Sequence, residues 1–119
     1  MQEVTFGQYT RSSRERLSAT APGFSLRQVA SELGIEPSYL SKVERSIEPP
    51  PSEETIKALA KILGEDPDVL LALAGKISSD LRGIILQRPQ LFAELLRSLR
   101  SLPNHAIARV VREVRDGAW

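Results

Sequence analysis

Apolar residues recur at three- and four-residue intervals along almost the whole chain, and Pro, Gly and Ser cut that pattern into short helices. The spacing predicts a first helix over about residues 5–18, with Phe6, Tyr9 and Leu17 inward and its arginines outward. Ala21-Pro22-Gly23 breaks it, and Ser25 is a suitable N-cap for a second helix over about 26–33. A third runs over about 37–45, and the following IEPPP cannot stay helical because its three prolines lack amide donors. Ser52 caps a fourth helix over about 53–63, with Ile56, Leu59, Ala60 and Leu63 inward and Gly64 at its end. Asp66-Pro67 opens a fifth through Ala74, with Val69, Leu70 and Leu73 buried and Gly75 as its stop.

Past Gly75 the pattern changes. Ser78/Ser79 starts a helix with Leu81, Ile84 and Ile85 on one face. Pro89 opens another with a dense apolar stripe, and Asn104 caps a last helix with Ile107, Val110, Val111 and Val114 inward. The expected fold is all-α: a five-helix domain at 1–75, then a helical extension of about three short helices at 76–119.

The most specific stretch is residues 25–45, SLRQVASELGIEPSYLSKVER. Val29, Ala30 and Leu33 give one helix an apolar face, and Gly34 suits the left-handed conformation at its end. Pro37 fits the first position of the next helix, where no amide donor is needed. Leu40 and Val43 form that helix's inward face, Ala30 is small where the two must cross, and Ser38, Ser41, Lys42 and Arg45 face away. This is the layout of a DNA-binding helix-turn-helix, in which a braced second helix offers polar and basic side chains to the major groove. A plain helical hairpin would not require the glycine, small residue, proline and apolar spacing to agree.

Composition adds limits. With 119 residues and 41% hydrophobic content the chain suits one domain or a small domain with an appendage. It has no cysteine, hence neither disulfides nor thiolate metal sites, which fits a reducing cytoplasm. Its start lacks an apolar run of signal-peptide type and no segment approaches membrane-spanning length, so a cytoplasmic location without membrane partners is expected. Residues 1–75 carry eight Lys/Arg against eleven Asp/Glu, a net −3, whereas residues 76–119 carry eight against four, a net +4. DNA-facing charge in the first part must therefore be local.

An enzyme is not expected. There is no Gly-rich phosphate loop and no nucleophilic cysteine, and Glu53/Glu54 read as helix-start charges placed by the helix dipole. The sole histidine, His105, reads as solvated, and without cysteines it cannot form a zinc site of the usual kinds. No metal or other cofactor is anticipated.

Residues 1–75 resemble the Cro/phage-repressor type of helix-turn-helix regulator, the xenobiotic-response-element family. FGQYTRSSRERL matches as first helix, SLRQVASELGI leads to the turn, PSYLSKVER is the recognition helix, and PPPSEETIKALAKIL and DPDVLLALAG supply the fourth and fifth. The resemblance implies a five-helix domain binding operator DNA as a symmetric dimer. Position by position, it puts Pro37 and Ser38 at base edges, Pro37 through an apolar contact such as a thymine methyl. Ser41 and Lys42 face the groove one turn later; Lys42 reaches guanine O6/N7, with a phosphate contact as the competing reading. Tyr39 offers its hydroxyl to a phosphate or packs under the helix, and Arg45 suits backbone contact. Arg11, Arg14 and Arg27 supply local charge for phosphates. Leu26 departs from the polar residue common at its position; Arg27 and Gln28 replace it or are solvated surface residues. Ser46 stands where a glycine commonly follows the recognition helix.

In the tail, Leu91, Phe92, Leu95, Leu96 and Leu99 make a face broad enough for two neighbours, the last helix of the same chain and a second copy. The competing reading folds the tail back on its own domain. The function expected is a sequence-specific transcriptional regulator, a repressor binding a palindromic operator on double-stranded DNA as a homodimer. The alternative is an antitoxin or interaction module that binds a protein partner through its C-terminal helices.

Overall fold

A computed structural model describes residues 4–117. Among these residues there are eight helices and no strand: α1 (Phe6–Ser18), α2 (Leu26–Leu33), α3 (Pro37–Glu44), α4 (Glu53–Leu63), α5 (Pro67–Leu73), α6 (Ser79–Gln87), α7 (Pro89–Leu99) and α8 (Asn104–Asp116).

Local chemistry sets the boundaries. Thr5 and Gln8 close a reciprocal capping box at the start of α1, and Ser25 and Gln28 do the same for α2. Gly34 and Gly64 end α2 and α4 in the left-handed region, at φ 71° and 69°, where a residue without Cβ is unstrained. Pro37, Pro67 and Pro89 open α3, α5 and α7. Asn104 is not the cap of the last helix; Pro103 holds that position and Asn104 is the first helical residue.

The core draws on α1–α5. Phe6, Val29, Leu40, Val43, Ile56, Leu59, Leu63, Leu70 and Leu71 are buried together, with Ala30 and Ala60 where helices pass closely. Val69 is corrected: α5 centres its inward face on Leu70 and Leu71, so Val69 falls to the side and is 47% exposed. Gly7 marks the tightest approach. A Cβ there would lie 2.3 Å from the Val43 carbonyl oxygen and 2.7 Å from that of Glu44, so only glycine lets α1 meet α3 at this distance.

The first compact unit runs through Ser79, beyond the boundary expected at residue 75. Lys76 Nζ donates to the Pro51 carbonyl at 2.9 Å, Ser78 is buried, and the Ser79 hydroxyl donates to the Glu53 carboxylate. That hydroxyl, with Lys57, holds the Glu53 carboxyl below the usual carboxylate range. The segment after Gly75 is thereby fastened across the start of α4.

The second unit begins at Asp80 and is of a different kind. None of the described residues of α7 and α8 is buried. Leu91, Leu95 and Leu96 are exposed, Phe92 and Leu99 are half-buried, and Val111 and Val114 of α8 are exposed. No helix among the described residues is long and apolar enough to cross a membrane.

Candidate nucleic-acid interface

α2, its turn and α3 form one braced pair. Ile35 N–H donates to the Ala30 carbonyl at 3.0 Å and Gly34 N–H to that of Ser31 at 3.1 Å, so the turn absorbs the carbonyls left open at the end of α2. Fully buried Val29 and Ala30 of α2 meet Leu40 and Val43 of α3 in the core. Pro37 then starts α3 without needing a side-chain cap.

α3 has two faces of opposite character. Leu40, Val43 and Glu44 are buried. Ser38, Lys42 and Arg45 are exposed, and Pro37, Tyr39 and Ser41 are half-buried. Ser38, Lys42 and Arg45 stand four and then three residues apart, which places them in line on one side of a helix. The Tyr39 ring packs against the core edge. Arg45 Nε donates to Ser41 twice, to its carbonyl at 3.3 Å and its hydroxyl at 3.2 Å.

The exit from α3 is resolved by Ser46. It adopts the left-handed conformation expected of the missing glycine, at φ 62°. Ile47 N–H donates to the Lys42 carbonyl at 2.8 Å and Ser46 N–H to that of Val43 at 3.0 Å, a glycine-type helix stop built on a serine. The Ser46 hydroxyl meets Thr5 Oγ1 at 3.1 Å, tying this turn to the cap of α1.

Arg14 is not an outward phosphate ligand. Its Nε and one terminal nitrogen donate to the two Glu44 oxygens at 2.7 and 2.9 Å, and the other terminal nitrogen donates to the Phe24 carbonyl at 3.1 Å. Only 9% of Arg14 and 5% of Glu44 remain exposed. The Glu44 hydrogen bonds raise the guanidinium pKa above its ordinary value. The pattern held a signal for this: Phe6, Thr10 and Ser13 stand at i, i+4 and i+7 and are all buried, which turns adjacent Arg14 inward. Glu44 likewise follows Leu40 by four residues, on the inward side of α3.

The remaining cations and polar groups lie elsewhere. Arg11 is exposed and pairs with Glu15 at 2.8 Å within α1. Arg27 is exposed. Gln28 is exposed too, but its side-chain oxygen accepts from Ser25 N–H at 3.2 Å as part of the α2 cap. Glu65 is a bracing group: it accepts from the Tyr9 hydroxyl at 3.0 Å and the Ser13 hydroxyl at 2.9 Å. The first of these bonds raises the Tyr9 pKa above the ordinary phenol value.

The geometry is that of a short helix held from behind by hydrocarbon and a buried ion pair, with a polar and basic stripe facing out. No curated protein and no solved structure matches the chain. A family model described as a helix-turn-helix domain does match, over residues 5–73, a span that takes in α1 through α5. The chain belongs to the helix-turn-helix domain family, as its resemblance to repressor-type regulators implied.

Proposed function

We propose that this chain is a sequence-specific, DNA-binding transcriptional regulator, a repressor that binds a palindromic operator as a homodimer. The observation that carries the reading is the outward stripe Ser38–Lys42–Arg45 on a helix whose opposite side is anchored by Leu40, Val43 and Glu44. An exposed helix about 10–12 Å across with short polar and cationic side chains fits the major groove, which is about 12 Å wide. The net −3 of residues 1–75 leaves little long-range attraction to DNA, so affinity rests on contacts at close range and on pairing of two copies.

The second unit supports the pairing. About 40 residues without a cysteine are too few to hold an independent core, and association is the usual remedy. Its helices leave Leu91, Leu95 and Leu96 exposed, an apolar face that a second copy can cover. Two recognition helices related by a dyad would enter successive major grooves about 34 Å apart.

The same exposed leucines favour the second reading, an antitoxin or interaction module whose tail holds a different protein. Enrichment of bound sites from a pool of random duplex DNA separates the two. A palindromic site whose affinity falls steeply with salt, by counterion release from several phosphates, is the expected result. Absence of DNA binding even at low salt would leave the interaction module.

A further inference from the structure

We infer that Arg45 reads a guanine and that Ser41 is its positioning residue, an assignment that rests on the DNA-binding reading of α3. At the sequence level Arg45 looks like a helix-end cation suited to backbone contact, and Ser41 like a base reader. The hydrogen bonds on α3 favour exchanging the two roles. Arg45 follows Ser38 by seven residues, close to two full helical turns, so it lies on the centre line of the outward face. It is the C-cap of α3, with φ −87° and ψ 4°, so it leaves the helix only after its side chain is already placed on that line.

The hydrogen bonds supply the second observation. Of the guanidinium nitrogens of Arg45, Nε alone is engaged by Ser41, through the carbonyl at 3.3 Å and the hydroxyl at 3.2 Å; the same carbonyl also accepts the Arg45 backbone N–H at 3.0 Å. Both terminal nitrogens are left as a planar fork, and no carboxylate among the described residues pairs with it. A fork with its Nε fixed matches the O6/N7 edge of guanine, the commonest specific contact in the major groove. Lysine, a point charge on a flexible stem, cannot reproduce that bidentate geometry. Arg11 and Arg14 are engaged by Glu15 and Glu44, so among the first-unit arginines Arg45 is the one held without being neutralised on the exposed face of α3.

The test uses the full chain and enrichment from random duplex DNA, repeated for Arg45→Ala, Arg45→Lys, Ser41→Ala and Ser41→Thr, with helicity and melting confirming the fold of each. The wild type should select one guanine per half-site that Arg45→Ala no longer prefers, a loss of about ten- to one-hundred-fold discrimination at that base pair. Arg45→Lys should not restore it. Ser41→Ala should weaken the preference at that same base pair alone, and Ser41→Thr, which keeps the hydroxyl, should bring it back. If Arg45→Ala weakens binding equally on every sequence and Arg45→Lys restores it, Arg45 holds a phosphate and the inference is overturned while the regulator reading stands. If the wild type enriches no site, the regulator reading fails and the inference with it.

Discussion

Arg14 on α1 and Glu44 on α3 are joined by two hydrogen bonds of 2.7 and 2.9 Å inside the first unit. α3 is therefore fastened from behind by a charge pair as well as by Leu40 and Val43. Removing one partner strands the other without water. Arg14→Ala and Glu44→Ala should each cost about 3–5 kcal/mol in urea unfolding, and an apolar double replacement of similar volume should cost much less. A loss within about 0.5 kcal/mol for Arg14→Ala would show that the pair is solvated.

Gly7→Ala sets two effects against each other. Alanine favours a helix interior by about 0.5–1 kcal/mol over glycine. The new methyl group would sit 2.3 Å from the Val43 carbonyl oxygen, a backbone atom that cannot rotate away. Overpacking of that kind costs about 1–3 kcal/mol, so it should prevail. A lowered melting temperature is expected; an unchanged or raised one would mean that α1 and α3 stand further apart.

Ser46→Gly should act in the other direction. A non-glycine residue in the left-handed region costs about 1–2 kcal/mol, and glycine removes that cost. Against it stands the exposed hydrogen bond to Thr5 Oγ1, worth about 0.5–1.5 kcal/mol. The expected net is a gain of up to about 1 kcal/mol, read from the shift in urea midpoint at constant slope.

Much of this architecture was legible in the sequence. The turn glycine Gly34, the opening prolines Pro37 and Pro67 and the caps Ser25 and Ser52 each carry a local mechanism, so α2 through α5 follow from them. Legibility failed where a polar residue points inward. Arg14 and Glu44 look like surface charges until each is placed on its helix face, and their pairing is a relation across 30 positions that no local window contains. Gly7 was hidden for the same reason, since its partner atoms belong to another helix. Val69 was misplaced because three adjacent apolar residues, Val69 to Leu71, leave the phase of a short helix undetermined.

Lys42 is exposed on the outward stripe, and Lys42→Ala should lose about 1–3 kcal/mol of operator affinity and relax preference at one base pair of each half-site. Competition between the selected site and single-base variants measures this. A uniform loss on all sequences, with the salt slope reduced by about one per subunit, would assign Lys42 to phosphate instead.

Leu95 tests the second unit within the full chain. It is 43% exposed on α7, in the same stripe as Leu91. Leu95→Lys should shift sedimentation equilibrium from dimer towards monomer and weaken operator binding, with melting of the first unit unchanged. A chain that remains dimeric with the lysine in place would exclude this face from the pairing.

The separation of duties on α3 has an evolutionary corollary. Leu40, Val43 and Glu44 anchor the helix in the core, while Ser38, Lys42 and Arg45 are exposed and bury nothing there. Exchange of the outer three leaves the anchorage intact, so under the proposed function descendants of this scaffold are free to drift from one genomic address to another without passing through an unfolded ancestor.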